Sequence, residues 1–249
     1  MYQFFIEDEN AAEDFVTIEG SDVNHIKNVL RMKPGEKIRV CTRSGQNYFC
    51  SISDVAESFV RADILEKEAE STELPCRIYL FQGLPKNDKM EWIIQKTVEL
   101  GVYEVIPVAM KNCVVKLDDK KAKSKVTRWQ AIAESAAKQS KRSLIPEVKM
   151  PMSYKEAVAY AKELDVKLVP YENEHGMAGT KAAMEQIKKG ESVAVFIGPE
   201  GGFAPEEIAL VQEEMQLISL GKRILRTETA GIAALAILGY QLESSDMIE

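Results

Sequence analysis

The chain has 249 residues, of which 45% are hydrophobic and 29% charged, with a formal net charge of −7. That length holds one large domain or two smaller ones with a buried core, and the composition is that of an ordinary globular protein. With that net acidity, bulk charge does not announce a nucleic-acid binder. The start MYQFFIEDEN has neither the basic nor the apolar run of a secretory leader, and the longest apolar stretch, Ala230 to Tyr240, is too short to span a bilayer, so a cytoplasmic protein is expected.

The first seventy or so residues read as β-rich. Strands are predicted at Tyr2–Ile6, Lys37–Thr42, Asn47–Ser53 and Phe59–Leu65, with a turn at Met32–Glu36 and a hairpin turn at Ser44-Gly45. One helix interrupts them, Ser21–Arg31, capped by Ser21 or Asp22, with Val23, Ile26, Val29 and Leu30 on one face. Several short strands and a single helix suggest a small barrel. Glu66 to Pro75 is charged, has no apolar period and ends in proline, which makes it the expected linker. The domains are therefore expected at 1–70 and 71–249.

Beyond Pro75, strands alternate with helices. Strands are expected at Cys76–Gly83, Val102–Met110, Val166–Glu172, Ser192–Ile197 and Leu217–Leu220. Helices are expected at Asp88–Leu100, Lys125–Lys141, Ser153–Leu164, Lys181–Lys189, Pro205–Met215 and Thr229–Leu242, the third opening with a capping box from Ser153 to Glu156. This rhythm means βαβ units and a mostly parallel sheet, an α/β fold. Cys41, Cys50, Cys76 and Cys113 form no C-x-x-C pair and read as reduced thiols, Cys41 and Cys50 facing each other across a hairpin as an apolar pair. His25 and His175 are isolated, so no metal site is expected.

Two C-terminal stretches carry the most chemistry. In VAVFIGPEGGFAPEEI, Gly198, Gly201 and Gly202 let the backbone turn and approach a ligand, and free N–H groups there can bind an anion or an adenine edge. A plain turn between strand and helix fits that pentapeptide equally. It is neither G-x-G-x-x-G nor a Walker loop, and it follows a late strand, which disfavours an NAD site and a Rossmann-type methyltransferase. In LGKRILRTETAG, Thr227 or Thr229 can cap the next helix and Glu228 suits its positive end. Arg226 does not fit there for helix stability, and an arginine so placed has an anion or carboxylate to meet. Both loops sit at the carboxyl edge of a sheet, where ligands bind in open α/β folds. At the turn before Met90, Lys86 and Lys89 are candidate phosphate contacts. Between Lys111 and Arg142, ten Lys or Arg outnumber three acids, a plausible RNA-backbone footprint that includes Lys116 and Arg142.

In order and spacing, HIKNVLRMKPGE, GLPKNDKMEWIIQKTVELGV, IGPEGGFAPEEI and LGKRILRTETA resemble the motifs of the RsmE family of 16S rRNA (uracil-N3)-methyltransferases, within the SPOUT class. The resemblance covers nearly the whole chain. It implies a PUA-like RNA-binding β-barrel at 1–70, with His25 and Arg31 as RNA contacts. It implies a SPOUT methyltransferase domain at 71–249, closed by a trefoil knot. It also implies a homodimer acting on 16S rRNA within the 30S subunit, without a metal. S-adenosylmethionine would lie against Pro170, Tyr171, Gly198, Pro199, Glu200, Gly201, Gly202, Leu220, Gly221, Ile224, Leu225 and Thr227, with Leu220, Gly221, Ile224 and Leu225 contacting it through their backbone. In the implied reaction uracil N3 attacks the sulfonium methyl group. Glu228 would be the base or an orienting group, and Arg226 would stabilise charge on O2 or O4 or grip a phosphate. Gln3, Asn87, Asn112, Cys113 and Lys138 depart from the family pattern. A non-catalytic RNA-binding factor, or a methyltransferase for another RNA, are the alternatives.

Overall fold

The computed structural model describes residues 1–68 and 71–246. The chain divides into two compact units, one of 1–73 together with 137–145, the other of 74–136 and 146–249.

The first unit holds β1 (Tyr2–Ile6), β2 (Phe15–Glu19), α1 (Ser21–Asn24), β3 (Lys37–Thr42), β4 (Asn47–Val55) and β5 (Phe59–Glu68). Its sheet runs β1-β3-β4-β5-β2, with β1 parallel to β3 and the other pairs antiparallel. The edge strands β1 and β2 meet, so the sheet curls around a core that includes Phe4, Ile18, Ile26, Ile38, Val40 and Ile52. Sequence reading missed β2, although Val16 and Ile18 alternate inward as a half-buried strand should.

Three expectations are corrected in this unit. The single helix over Ser21–Arg31 is an α-turn continued by a π-turn at His25–Val29, where the Leu30 N–H reaches the His25 carbonyl at 2.8 Å. The wider turn rotates later side chains outward, so Val23 and Ile26 are buried while Val29 is 64% exposed. The linker begins later than Glu66: Glu66, Lys67 and Glu68 complete β5 against Phe49, Tyr48 and Asn47, and the Arg39 Nε donates to the Glu68 carboxylate at 2.6 Å. Backbone pairing builds this strand end despite its charged side chains; Ala69 and Glu70 of the expected linker lie outside the described residues. Cys41 and Cys50 do not face each other, since Cys41 lies opposite Asn47 and Cys50 opposite Ile38. Burial pushes both thiols up to about 12, and none of the four cysteines is in a disulfide.

Residues 137–145 are bound to this sheet by polar contacts. Gln3 donates to the Arg142 carbonyl at 2.6 Å, Arg39 to the Lys141 carbonyl at 2.7 Å, Cys41 to the Ser143 carbonyl at 2.9 Å and Asn47 to the Ser143 hydroxyl at 2.7 Å. Glu73 accepts from Arg142 Nε at 3.1 Å and from the Ser143 N–H at 2.8 Å, and Lys138 pairs with Asp22 at 2.9 Å.

The second unit contains β6 (Arg77–Gly83), α2 (Lys89–Glu99), β7 (Val102–Ala109), α3 (Asp119–Ser140, its last residues in the first unit), β8 (Glu147–Val148), β9 (Met152–Ser153), α4 (Tyr154–Ala161), β10 (Val166–Pro170), α5 (Ala178–Glu185), β11 (Ser192–Ile197), α6 (Pro205–Val211), β12 (Gln216–Ile218) and α7 (Thr227–Asp246). Its sheet runs β12-β10-β11-β6-β7-β8, with β9 also on β7, and every pairing is parallel. Phe81 and Phe196 stack at 4.3 Å on one face, in a core shared with Tyr154, Ile208 and Val211. The other face, with Leu80 and Ile197, lies against α7 at Gly231. Ser153 caps α4 in the expected capping box. Because all the strands run the same way, their carboxyl ends deliver the chain to one edge.

Candidate functional site

Three loops leave that edge, after β10, β11 and β12, and enclose a cleft of about 660 Å³, a volume typical of small-molecule sites. Pro170, Tyr171, Gly198, Pro199, Glu200, Gly202, Leu220, Gly221, Ile224, Leu225 and Thr227 line it, as do Arg226, Lys89 and Phe203. Gly201 does not. It turns toward Asn112, whose Cβ would lie 3.0 Å from any Cβ added to Gly201. Asn112 Nδ2 donates to the Gly201 and Gly202 carbonyls at 3.0 and 3.2 Å, holding the loop from outside.

The glycine loop is packed too closely for side chains. A Cβ on Gly83, at the end of β6, would fall 2.7 Å from the Pro199 nitrogen, and one on Gly198 would fall 3.2 Å from the Gly202 carbonyl carbon. Gly202 and Gly221 have φ of 66° and 110°, a region that side-chain-bearing residues rarely adopt. Sequence reading missed Gln82, which is buried at the end of an apolar strand; that polar residue in an apolar run was the available signal. Its Nε2 donates to Thr227 Oγ1 at 2.9 Å, and Thr227 donates on to the Gly198 carbonyl at 2.6 Å. Helix α7 begins at Thr227, two residues before the expected start, so Thr227 ties β6, α7 and the glycine loop together. Glu207 was also missed. Its buried carboxylate accepts the Ala204 N–H and the Lys111 N–H, both at 2.8 Å, and fixes the start of α6 to the turn after β7.

Lys89 stands between two carboxylates on the cleft wall. Its ammonium is 3.0 Å from Glu200 Oε1, which also accepts the Lys86 N–H at 3.0 Å, and 3.1 Å from Glu228 Oε2. Burial pushes the Glu200 and Glu228 carboxyls up, but backbone N–H groups and Lys89 outweigh it, joined at Glu228 by Arg226; both end below the usual carboxylate range. The Lys89 ammonium is held above its ordinary value, Glu200 contributing most. Glu228 is thus off the cleft wall itself and bound to Lys89, whereas Arg226 is exposed on the wall beside the start of α7.

The expected RNA contacts are distributed over both units. His25 and Arg31 are exposed in the first unit, and Lys86 and Lys116 are exposed in the second. Arg142 is corrected: it is 3% exposed and engaged by Glu73, because residues 137–145 close over the first unit. The basic segment is also less basic than its composition, since Lys111, Lys125 and Arg128 pair with Glu206, Asp88 and Glu91. The other departures have structural places: Gln3 is buried on Arg142, Asn87 takes a turn at φ of 57°, and Cys113 packs beside the sheet core. Among the described residues no group of His, Cys, Asp and Glu could hold a metal, and no helix is long and apolar enough to cross a membrane.

Comparison with known proteins places these features. An RNA methyltransferase domain family matches residues 72–239, and an RNA methyltransferase PUA domain family matches 18–65. The ribosomal RNA small subunit methyltransferase E of Bacillus subtilis (strain 168) is 39% identical, over 98% of both chains. The chain belongs to the ribosomal RNA small subunit methyltransferase E family. A member of that family from Neisseria gonorrhoeae, solved bound to S-adenosyl methionine, is 31% identical and covers 96% of this chain and 97% of its own, with a TM-score of 0.84. A putative methyltransferase from Legionella pneumophila, solved in complex with the same cofactor, is 31% identical over 96% of this chain and 97% of its own, with a TM-score of 0.82. The methyltransferase E likeness spans both units, so the curled sheet and the parallel sheet are parts of one family architecture.

Proposed function

We propose that this chain is an S-adenosylmethionine-dependent methyltransferase that modifies N3 of a uridine in 16S rRNA, within the 30S subunit, as a cytoplasmic homodimer. The observation that carries it is the cleft between the β10, β11 and β12 loops, in a chain whose Neisseria gonorrhoeae relative was solved with the cofactor. The residues fit that group. The cleft is large enough, the approach of Gly83 to Pro199 leaves no room for a side chain there, and Gly202 and Gly221 bring bare backbone to the wall in conformations that side-chain-bearing residues rarely adopt. Pro170, Tyr171, Gly198, Pro199, Glu200, Gly202 and Thr227 would hold it, joined by the backbone of Leu220, Gly221, Ile224 and Leu225; Gly201, turned toward Asn112, would not touch it.

When bound, the cofactor supplies a methyl group on a sulfonium. The chain's own task is to align uracil N3 with that methyl and to deal with the N3 proton. Arg226, exposed and charged on the wall, would stabilise negative charge on a uracil oxygen or hold a phosphate. Of the two roles open to Glu228, orienting is the better supported. A carboxylate held below the usual range by its surroundings and bound by Lys89 is a weaker proton acceptor, not a stronger one. Residues 1–70 would be the PUA-like RNA-binding domain and 71–249 the SPOUT domain, its C-terminal segment threaded as a trefoil knot. His25, Arg31, Lys86, Lys89 and Lys116 would meet RNA.

Calorimetry with S-adenosylmethionine tests the cleft: binding is expected, and its absence would leave a non-catalytic RNA-binding factor. Mapping modified nucleosides in RNA from a deletion strain tests the reaction. The expected result is the loss of one N3-methyluridine from 16S rRNA; loss of a transfer-RNA or ribose methylation instead would overturn the substrate.

A further inference from the structure

The loop from Gly221 to Arg226 carries a side chain that the proposed reaction does not use. Ile224 is 84% exposed, yet it lines the cleft. Single exposed apolar residues are common and need no explanation. This one has particular neighbours: Lys222, Arg223 and Arg226 are all exposed, all line the same cleft, and none is ion-paired among the described residues. A stiff, β-branched apolar tip among exposed cations has the composition of a nucleic-acid wedge. The cations meet phosphates while the aliphatic group enters a base step. It suits a second copy of this chain less well, because a self-contact at this loop would bring like charges together.

We propose that the Ile224 side chain is a wedge that enters the RNA beside the target uridine and fills the space the uridine leaves when it is drawn out of its stack. Lys222 and Arg223 hold the flanking phosphates. This deepens the methyltransferase reading and rests on it. The division of labour is local: the backbone of 220–225 serves the cofactor, and the exposed side chain of Ile224 serves the RNA. A base undergoing chemistry must be unstacked, and a wedge lowers that cost at the step where it is incurred.

The test uses the full-length protein and small ribosomal subunits from cells lacking this enzyme. Methyl transfer is measured in a single turnover at saturating subunit, cofactor affinity by calorimetry and oligomeric state by sedimentation. Ile224→Ser is expected to slow the single turnover by about tenfold or more, with cofactor Kd and oligomeric state unchanged. Ile224→Leu is expected to recover most of the rate. Lys222→Ala and Arg223→Ala are expected to weaken subunit binding and flatten its salt dependence, with less effect on the saturated rate. Transfer by Ile224→Ser at the unsubstituted rate would overturn the proposal. Weakened cofactor binding would overturn it in favour of a cofactor wall, and altered assembly in favour of a contact between copies. No transfer by the unsubstituted protein would overturn the underlying reading, and the wedge with it.

Discussion

Gly83 and Thr227 show how little room the cleft leaves for change. In Gly83→Ala the new methyl group would lie 2.7 Å from the Pro199 nitrogen and 2.8 Å from its Cδ, so the glycine loop must move. The expected result is cofactor binding about tenfold weaker or worse by calorimetry, with a stability loss of about 1–3 kcal/mol. Thr227→Val keeps the shape but removes the hydroxyl between Gln82 and Gly198. Gln82 Oε1 is already buried without a partner, and the variant also leaves the Gly198 carbonyl without that donor. A loss of about 1–3 kcal/mol is expected from urea denaturation, with Thr227→Ser close to the parent. The Thr227 position was legible as functional from its motif. Its partner Gln82 was not, because a glutamine at a strand end carries no record of the residue 145 positions away that it meets.

Among elements, the decisive joint is the ion cluster that brings the start of α2 to the glycine loop and the first turn of α7. Its pH dependence follows from the direction of each shift. Glu200 and Glu228 are depressed, so their contribution is present above the ordinary value of 4.5 and is lost as pH falls through their lowered values. Lys89 is raised, so its contribution is present below its ordinary 10.5 and is lost as pH rises through its higher value. The difference in Tm between the parent and Lys89→Met is therefore expected to form a plateau across neutral pH and to close in acid. A difference that grows on acidification would contradict the cluster. Hydrophobic periodicity placed most of these elements within a few residues. It failed at Ser21–Val29, where a π-turn shifts the register, and at β2, where the alternating run is short.

At the scale of the molecule, residues 137–145 matter most. They follow the second unit's first 63 residues in the chain, yet they complete the polar half of the first unit. A fragment of 1–73 alone would lose the hydrogen bonds that 137–145 give to Gln3, Arg39, Asn47 and Glu73, each contributing about 0.5–1.5 kcal/mol. Such a fragment is expected to be unfolded or weakly cooperative by circular dichroism and urea titration, and adding 137–145 through a linker is expected to restore a two-state transition.

The sequence by itself determined the parts: a β-rich start, alternating strands and helices beyond Pro75, a parallel sheet, and two glycine- and arginine-bearing loops delivered to its carboxyl edge. These are legible because hydrophobic period, caps and glycine turns act over a few residues and leave a local trace. The tertiary structure alone decided which polar groups meet. It put Lys89 between Glu200 and Glu228, Thr227 between Gln82 and Gly198, and the buried Arg142 against Glu73. Each of these is a pairing between residues far apart in the chain, and many lysines, glutamates and arginines could serve equally in a one-dimensional pattern. Only the folded chain gives each buried donor its acceptor.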